Sequence, residues 1–315
     1  MLFLDRGPSP EEPRSREVRR PTVPRGSALR RRLRLLPVLP SVLLLALFLL
    51  APVAWSFYAS FTDVALSGKA AREPSWIGLD NYGRMINEEG FPLALWLTVV
   101  FVGASAIIGQ NLLGLALALL MQRGNRALSR VVGTAVVAAW VLPEIVAAFA
   151  AYAYFSRDGT LNQILGTAGL EGADWLYSYP MAAVVLANIW RGTAFSMLVY
   201  RAALAEVPAD IMEAALMDGA GGLQRLFFIT LPMIRNSIAS NLMLITLQTL
   251  AVFTLIWVMT AGGPAGASST LPVLAYQEAF KFGDIGYGTA IASVLILVGM
   301  VFGIVYVRLL REAKR

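Results

Sequence analysis

Six apolar stretches dominate the chain, at about 35–61, 93–121, 131–155, 180–204, 237–261 and 286–309. Each is long enough to cross a hydrocarbon core of about 30 Å at about 1.5 Å per residue. Lipid satisfies no open strand edge, so each stretch predicts a helix. The first follows the run Arg30-Arg31-Arg32-Leu33-Arg34, as the core of a secretory leader would. It is longer than a leader's apolar region and has no clear small-residue cleavage site, so it reads as a retained span. The pattern predicts an all-α polytopic membrane protein with six transmembrane helices in a domain over 35–315. Residues 1–34 break the pattern, with ten arginines, many prolines, few apolar positions and no periodicity. They read as a disordered basic tail.

Composition sharpens this. Of 315 residues, 57% are hydrophobic and only 15% charged, which leaves too little polar surface for a soluble domain of this length. There is no Cys and no His. That removes disulfides, thiolate and imidazole metal sites, Ser-His-Asp and Cys-His catalysis, and histidine proton relays.

The net charge of +6 is compatible with nucleic-acid binding until the positions are inspected. With the N-terminus in the cytoplasm, cytoplasmic segments hold twenty Lys/Arg and outer segments five, with Arg191 inside the fourth span. Without the tail the balance is still ten to five. The basic surplus is therefore topological, with both termini cytoplasmic and no nucleic-acid partner. Trp55, Trp76, Trp96, Trp175 and Trp257 fall near outer span ends, as interfacial anchors do, and Trp76 and Trp175 are also placed to meet a docking partner.

The connection over 205–235 is unlike a simple loop. Pro208 suits a first helical turn, and Ala209 to Met217 are good helix formers. Gly219, Gly221 and Gly222 then break the helix, and Leu223 to Ile229 restart one that stops at Pro232. The result is a helix–turn–helix elbow carrying Glu206, Asp210, Glu213 and Asp218. It is too acidic for a helix lying on lipid headgroups, which is usually rich in Lys and Arg. An apolar elbow of this length needs a surface to pack against.

Glu213-Ala214-Ala215, three residues, Gly219, nine residues, then Ile229-Thr230-Leu231-Pro232 resembles the EAA loop, EAA-x3-G-x9-I-x-LP. That loop belongs to the membrane subunits of binding-protein-dependent ABC importers. Trp76-Ile-Gly-Leu-Asp-Asn-Tyr82 and Asp158-Gly-Thr-Leu-Asn162 are similar to the family's outer loops. Met259-Thr-Ala-Gly-Gly-Pro264, with Thr270, Tyr276, Ala279-Phe280 and Gly286-Tyr-Gly, resembles the carbohydrate branch, specifically its first, maltose-type F permease. The resemblance covers most of 35–310; the Arg/Pro-rich tail departs from it.

The resemblance implies the MetI-like permease fold in a bacterial cytoplasmic (inner) membrane. It implies a second permease subunit, an ATPase homodimer and an extracytoplasmic solute-binding protein as partners. It assigns ATPase coupling to Glu213, Ala214, Ala215, Asp218, Gly219, Ile229, Leu231 and Pro232, with Glu213 pairing a basic residue of the ATPase. It also implies that no cofactor is bound by this chain, with ATP and Mg on the partner ATPase. The residues agree: the chain has no G-x-x-x-x-G-K-[ST] phosphate loop.

Polar residues inside spans mark candidate paths, here Gln110, Asn111, Glu144, Asn188, Arg191, Asn241, Gln248 and Thr249. By the resemblance, the middles of the fourth and fifth spans line the path for a sugar. The matching positions are Asn188, Arg191, Gly192 and Phe195, with Ile245, Gln248, Thr249 and Val252. Asn188, Arg191 and Phe195 share one helix face, as do Ile245, Thr249 and Val252. For each of these, interhelical packing is an equal alternative. Glu144 and Arg191 sit at similar depth in consecutive spans. They are candidates for an intramembrane ion pair, for separate partners in the second permease, or for a wet cavity in which Arg191 touches sugar hydroxyls. The sequence thus predicts a non-enzymatic sugar-importer permease, with a di- or oligosaccharide as the expected solute. Glycerol-phosphate-type solutes share the architecture. A self-sufficient secondary transporter lacks its usual internal repeat here, and a membrane enzyme lacks its His and Cys.

Overall fold

The computed structural model describes residues 39–312. The tail over 1–34, and the first residues of the 35–61 stretch, lie outside the described residues. The described residues are nearly all helical, with a single isolated bridge between Thr62 and Trp76. The chain divides into two units, Met1–Pro52 and Val53–Arg315. The described part of the first belongs to helix α1, Leu39–Ala59, whose apolar side chains are mostly exposed, as expected of a lipid-facing helix.

In the second unit, α2 (Asp80–Asn87) precedes α3, a long helix over Gly90–Gln122. Next come α4 (Arg126–Val141), α5 (Glu144–Phe155), the outer helix α6 (Thr160–Thr167) and α7 (Pro180–Ala205). The elbow consists of α8 (Ala209–Met217) and α9 (Gly222–Met233). It leads into α10 (Arg235–Leu250), α11 (Thr254–Thr260), α12 (Leu271–Tyr276) and the final α13 (Ile285–Glu312).

Four helices, α1, α3, α7 and α13, are long and apolar enough to cross a membrane unaided, and six spans result if each bent pair counts as one. The third apolar stretch, expected as one helix, is α4 plus α5, broken at Leu142–Pro143, where the run Glu144–Thr167 turns by 109° from α4. Proline removes an amide donor and clashes with the preceding turn, which ends α4 at Val141. The fifth stretch is also interrupted: α10 stops at Leu250, residues 251–253 leave helical geometry, and α11 resumes at Thr254. α10 alone spans about 24 Å, short of a hydrocarbon core.

α7 lies against α3 along a seam made close by glycine. A Cβ at Gly114 would sit 2.5 Å from Ser196 Cβ and 2.9 Å from the Met197 nitrogen. At Gly192 it would sit 2.3 Å from the Gln110 side chain. Lipid gives helices no hydrophobic reason to associate, so close backbone approach and hydrogen bonds supply it. A π-helical stretch over Val102–Gln110 turns Ser105 and Gln110 toward α7. Asn188 Nδ2 donates to Ser105 Oγ at 2.8 Å, and Gln110 Nε2 donates to the Asn188 carbonyl at 3.2 Å.

One helical turn further, Asn241 on α10 donates to Asn111 Oδ1 (2.9 Å), Ser196 Oγ (3.0 Å) and Tyr200 Oη (3.1 Å). Tyr200 in turn donates to Asn111 Oδ1. This node joins α3, α7 and α10. A second core, Phe101, Ala148, Ala151, Val184, Leu255 and Ile256, unites α3, α5, α7 and α11.

The outer loops are pinned by the motif residues themselves. Asn81 Nδ2 donates to the carbonyls of Ser60 and Thr62 at 2.9 and 3.0 Å, and Trp76 stacks on Phe61 with centroids 5.4 Å apart. Asn162 binds the 171–175 segment by accepting from Ala173 N (3.1 Å) and Trp175 Nε1 (2.8 Å). Arg84 joins α2 to the start of α13 through Asp284 at 2.5 Å, while also binding Glu88 at 2.6 Å and covering the Tyr287 ring at 4.0 Å. Burial works against the Arg84 charge, but the hydrogen bonds to Glu88 and Asp284 outweigh it and hold its pKa above the ordinary arginine value. Burial pushes the nearby Glu278 carboxyl up, and Arg84 partly draws it back.

The seam predicts a contrast between two glycines. Gly114→Val overpacks against backbone and should cost about 1–3 kcal/mol. A Cβ at Gly299 meets nothing within 4 Å, so Gly299→Val should cost far less. Thermal unfolding of the purified protein in detergent reads the difference; equal midpoints would mean that the seam yields freely.

Candidate functional site

The elbow is built by capping chemistry. Asp210 lies in the first turn of α8, where its charge favours the helix dipole. At the other end Asp218 is the C-cap and Gly219 takes φ +78°. The Gly219 amide donates to the Leu216 carbonyl at 3.0 Å, and the Ala220 amide to the Ala215 carbonyl at 2.9 Å. These two bonds form a Schellman motif, which needs a left-handed residue where glycine stands. α9 then opens with Gln224 accepting from the Gly221 amide at 2.8 Å.

The elbow's faces differ. Ala215 is buried, and Ile229 and Leu231 are half-buried. Behind them a cavity of about 460 Å³ separates the elbow from the ends of α3 and α7, and Arg225 Nε is buried there without a partner. The opposite face carries Glu213, Ala214, Asp218, Gly219 and Pro232, all exposed. Large apolar side chains stand among them, including Met217 at 88% exposure and Phe228 at 79%. Glu213 makes no ion pair or hydrogen bond among the described residues. Exposed apolar side chains in this number are unusual on a water-facing surface and mark a candidate contact face.

The residues read as a path separate into two sets. Asn188, Ile245 and Thr249 are buried within the chain, Asn188 in the α3–α7 hydrogen bonds and Ile245 in a core with Val102, Ala106 and Leu250. Arg191, Gly192, Phe195 and Val252 are half-buried, and Gln248 is exposed. Phe195 meets the Trp140 ring at 6.1 Å. Val252 falls in the helix break at 251–253. Irregular backbone at membrane depth is tolerated only inside protein or along a wet cavity. Nothing in Leu250-Ala251-Val252-Phe253 announces a break, since it has neither Gly nor Pro.

The break is followed by rings the sequence had not grouped. Phe253 stacks on Trp257 at 5.8 Å, and Tyr276 meets both at 4.8 Å. Trp257, read as an interfacial anchor, thus has ring partners from two segments.

Glu144 and Arg191 form no ion pair with each other. The reason is local. Pro143 turns the chain, and Glu144 starts α5, where the helix dipole favours its carboxylate. Glu144 Oε1 and Arg191 Nε are each buried without a hydrogen-bond partner. Among the described residues no cluster of acidic side chains has the arrangement of a metal site.

Comparisons with known proteins agree with this geometry. The family model "Binding-protein-dependent transport system inner membrane component" matches residues 110–315. The chain is 34% identical over 284 residues to the sulfoquinovosyl glycerol transport system permease protein SmoG of Agrobacterium fabrum, covering 88% of this chain and 91% of that one. It is 32% identical to the trehalose/maltose transport system permease protein MalF of Thermococcus litoralis, covering 87% and 92%. It is 30% identical to the trehalose transport system permease protein SugA of Mycobacterium tuberculosis, covering 90% of each. Among solved structures, a chain of a bacterial alginate ABC transporter in complex with an alginate-bound periplasmic protein has the same fold, with a TM-score of 0.77 at 22% identity, over 91% and 96% of the chains.

Two outcomes are expected at these sites. A Cβ at Gly219 meets nothing within 4 Å, so only backbone strain opposes it. Gly219→Ala should cost about 1–2 kcal/mol, and Gly219→Val more, because a branched side chain tolerates positive φ least. Equal, mild effects on substrate-stimulated ATP hydrolysis would show that the turn conformation is not needed. For Glu144→Gln and Arg191→Gln, which form no ion pair here, losses of assembly and transport should add to within about 0.5 kcal/mol. A double variant much milder than the sum would show that they pair in the working transporter.

Proposed function

The chain belongs to the family of inner membrane components of binding-protein-dependent transport systems, and from that premise we propose that it forms half of the import path for a sugar. A second permease completes the path, and an ATPase homodimer drives it. ATP and Mg bind to that homodimer, since this chain contains no phosphate loop. An extracytoplasmic solute-binding protein delivers the sugar. Both termini lie in the cytoplasm, as the arginine distribution favours, and that places the elbow beside the ATPase.

The observation that carries this reading is the elbow. It is turned at Gly219, joined to α7 through residues 206–208 and to α10 across a 70° bend at Ile234, and bare on the face that holds Glu213. Closure of an ATPase dimer against that face pulls directly on the two helices that contribute the path residues. Glu213, Ala214, Ala215, Asp218, Gly219, Ile229, Leu231 and Pro232 form the coupling element. Arg191, Phe195, Gln248 and Val252 are the positions open to a solute, while Asn188, Gly192, Ile245 and Thr249 hold their helices in place. The sugar assignment draws on the three relatives named above, each a permease named for a sugar or sugar derivative. The unpartnered Arg191 nitrogen favours one second reading, a solute with an anionic group such as a glycerol-phosphate type.

The test is reconstitution in proteoliposomes with the partner subunits. Sugar uptake should require ATP, the ATPase and the binding protein together; uptake driven by an ion gradient in this chain alone would overturn the proposal. Glu213→Ala should leave the permeases assembled but weaken ATPase docking by roughly 2–5 kcal/mol, as for one side of a hydrogen-bonded charge pair at an interface. Substrate-stimulated hydrolysis should fall accordingly, and full recovery of the complex with normal uptake would remove Glu213 from that role.

A further inference from the structure

Four aromatic rings form a contiguous row that begins at the break over 251–253. Phe253 lies in the break itself, Trp257 is on α11, Tyr276 ends α12, and Phe280 follows in a π-helical turn over Gln277–Lys281. Neighbouring centroids are 5.8 Å apart for Phe253 and Trp257, 4.8 Å for Tyr276 with each of those two, and 5.3 Å for Tyr276 and Phe280. Val252, Phe253 and Trp257 pack against the core that holds Leu255 and Ile256, so the row is backed by protein. It is not covered over. Phe253, Trp257 and Tyr276 are half-buried, and Phe280 is 61% exposed. Trp257 Nε1 and Tyr276 Oη make no hydrogen bond among the described residues, and neither is a buried unpartnered atom. Both polar tips are therefore open to a partner from outside the chain. At its inner end the row adjoins Val252, a position open to the solute.

We propose that these four rings form an aromatic ladder that receives the sugar on the outer side and passes it to the path at Val252. A pyranose has apolar faces of C–H groups and a rim of hydroxyls. The negative face of an aromatic ring suits the first, and an unpaired indole N–H and phenol O–H suit the second. A row of rings needs no single fixed pose, so a sugar can exchange one ring for the next without being stranded between them. Two rival roles fit less well. Interfacial anchoring uses rings at the ends of spans and has no need of a contiguous row drawn from separate segments. Core packing hides its rings and pairs their polar tips, whereas here one ring is bare and two tips are free. The ladder rests on the proposed sugar path and supplies what that path lacks, since Phe195 is the one aromatic residue among its open positions.

The test uses the transporter reconstituted with its second permease, ATPase and binding protein. It reads sugar taken up per ATP hydrolysed at saturating, loaded binding protein. The probes are maltose, trehalose and sulfoquinovosyl glycerol, the solutes for which the relatives are named, and the ratio is read on whichever enters. Phe280→Ser and Tyr276→Leu should each lower it roughly two- to tenfold, the factor that one lost ring contact supplies, while stimulated hydrolysis is kept. Tyr276→Phe, which retains the ring, should restore most of the loss. Trp96→Leu changes an exposed aromatic on α3 outside the ladder and should leave the ratio unchanged. No uptake of any of the three solutes by the unaltered transporter would overturn the proposed function and the ladder with it. Uptake by the unaltered transporter with an unchanged ratio in Phe280→Ser and Tyr276→Leu would overturn the ladder alone. So would a parallel fall of hydrolysis and uptake in both variants, the mark of a merely structural role, or an equal fall of the ratio in Trp96→Leu.

Discussion

Asn111 and Asn241 meet in the interior of the helical body, and the arrangement around them follows from the cost of leaving such groups unpaired. Neither amide can turn to water. Asn111 answers its own helix by donating to the carbonyls of Ala106 and Ile107 at 2.9 and 3.2 Å, which frees its oxygen for Tyr200 and Asn241. That single oxygen therefore ties α3 to α7 and α10. The π-helical run before it sets the rotation of Asn111, and Gly114 one turn later lets α7 come close enough for the ring to close. Removing any one of these leaves another buried and unsatisfied, a penalty of about 1–3 kcal/mol. Asn241 Oδ1 is the one atom of the node without a donor.

How much of this was legible in the chain depended on the scale of the signal. The long apolar runs were read as spans, and α3, α7 and α13 match theirs to within a few residues, because burial in lipid overrides every local preference. The elbow was legible from its glycines and Pro208, since a Schellman turn and a helix start each have a residue of their own. Pro143 gave a local signal too, but it lay inside an apolar run whose length argued for a single helix. The break at 251–253 gave none. Ala251, Val252 and Phe253 are unexceptional in a helix, and the interruption is imposed by packing against Tyr276 and the core that holds Leu255 and Ile256. Tertiary contacts of that kind leave no mark in a window of sequence.

The candidate site shows the same division. Spacing alone placed Ile245, Thr249 and Val252 on one helix face, but α10 ends at Leu250, so Ile245 and Thr249 share its face and Val252 falls in the break. Which way that face turns was not readable, and it turns inward for Ile245 and Thr249. Glu144 and Arg191 looked like partners because depth is the only coordinate a span provides; the 109° bend supplies a lateral one. The outer-loop motifs reverse the usual expectation for conspicuous loop residues. Asn81 and Asn162 do not wait for a ligand but hold backbone, and Gly286 is small because the Thr62 carbonyl would lie 2.2 Å from its Cβ.

The Arg84–Asp284 contact spans 200 positions of sequence. A chain made from its N-terminus presents Arg84 long before Asp284 exists, and the intervening helices must all be in place before the two can meet. The end of the helical body that holds α2 is therefore the last part to be finished during biogenesis. Until α13 has been inserted, α2 is held through Asn81 to the Ser60 and Thr62 carbonyls but lacks its tie to the C-terminal part of the chain.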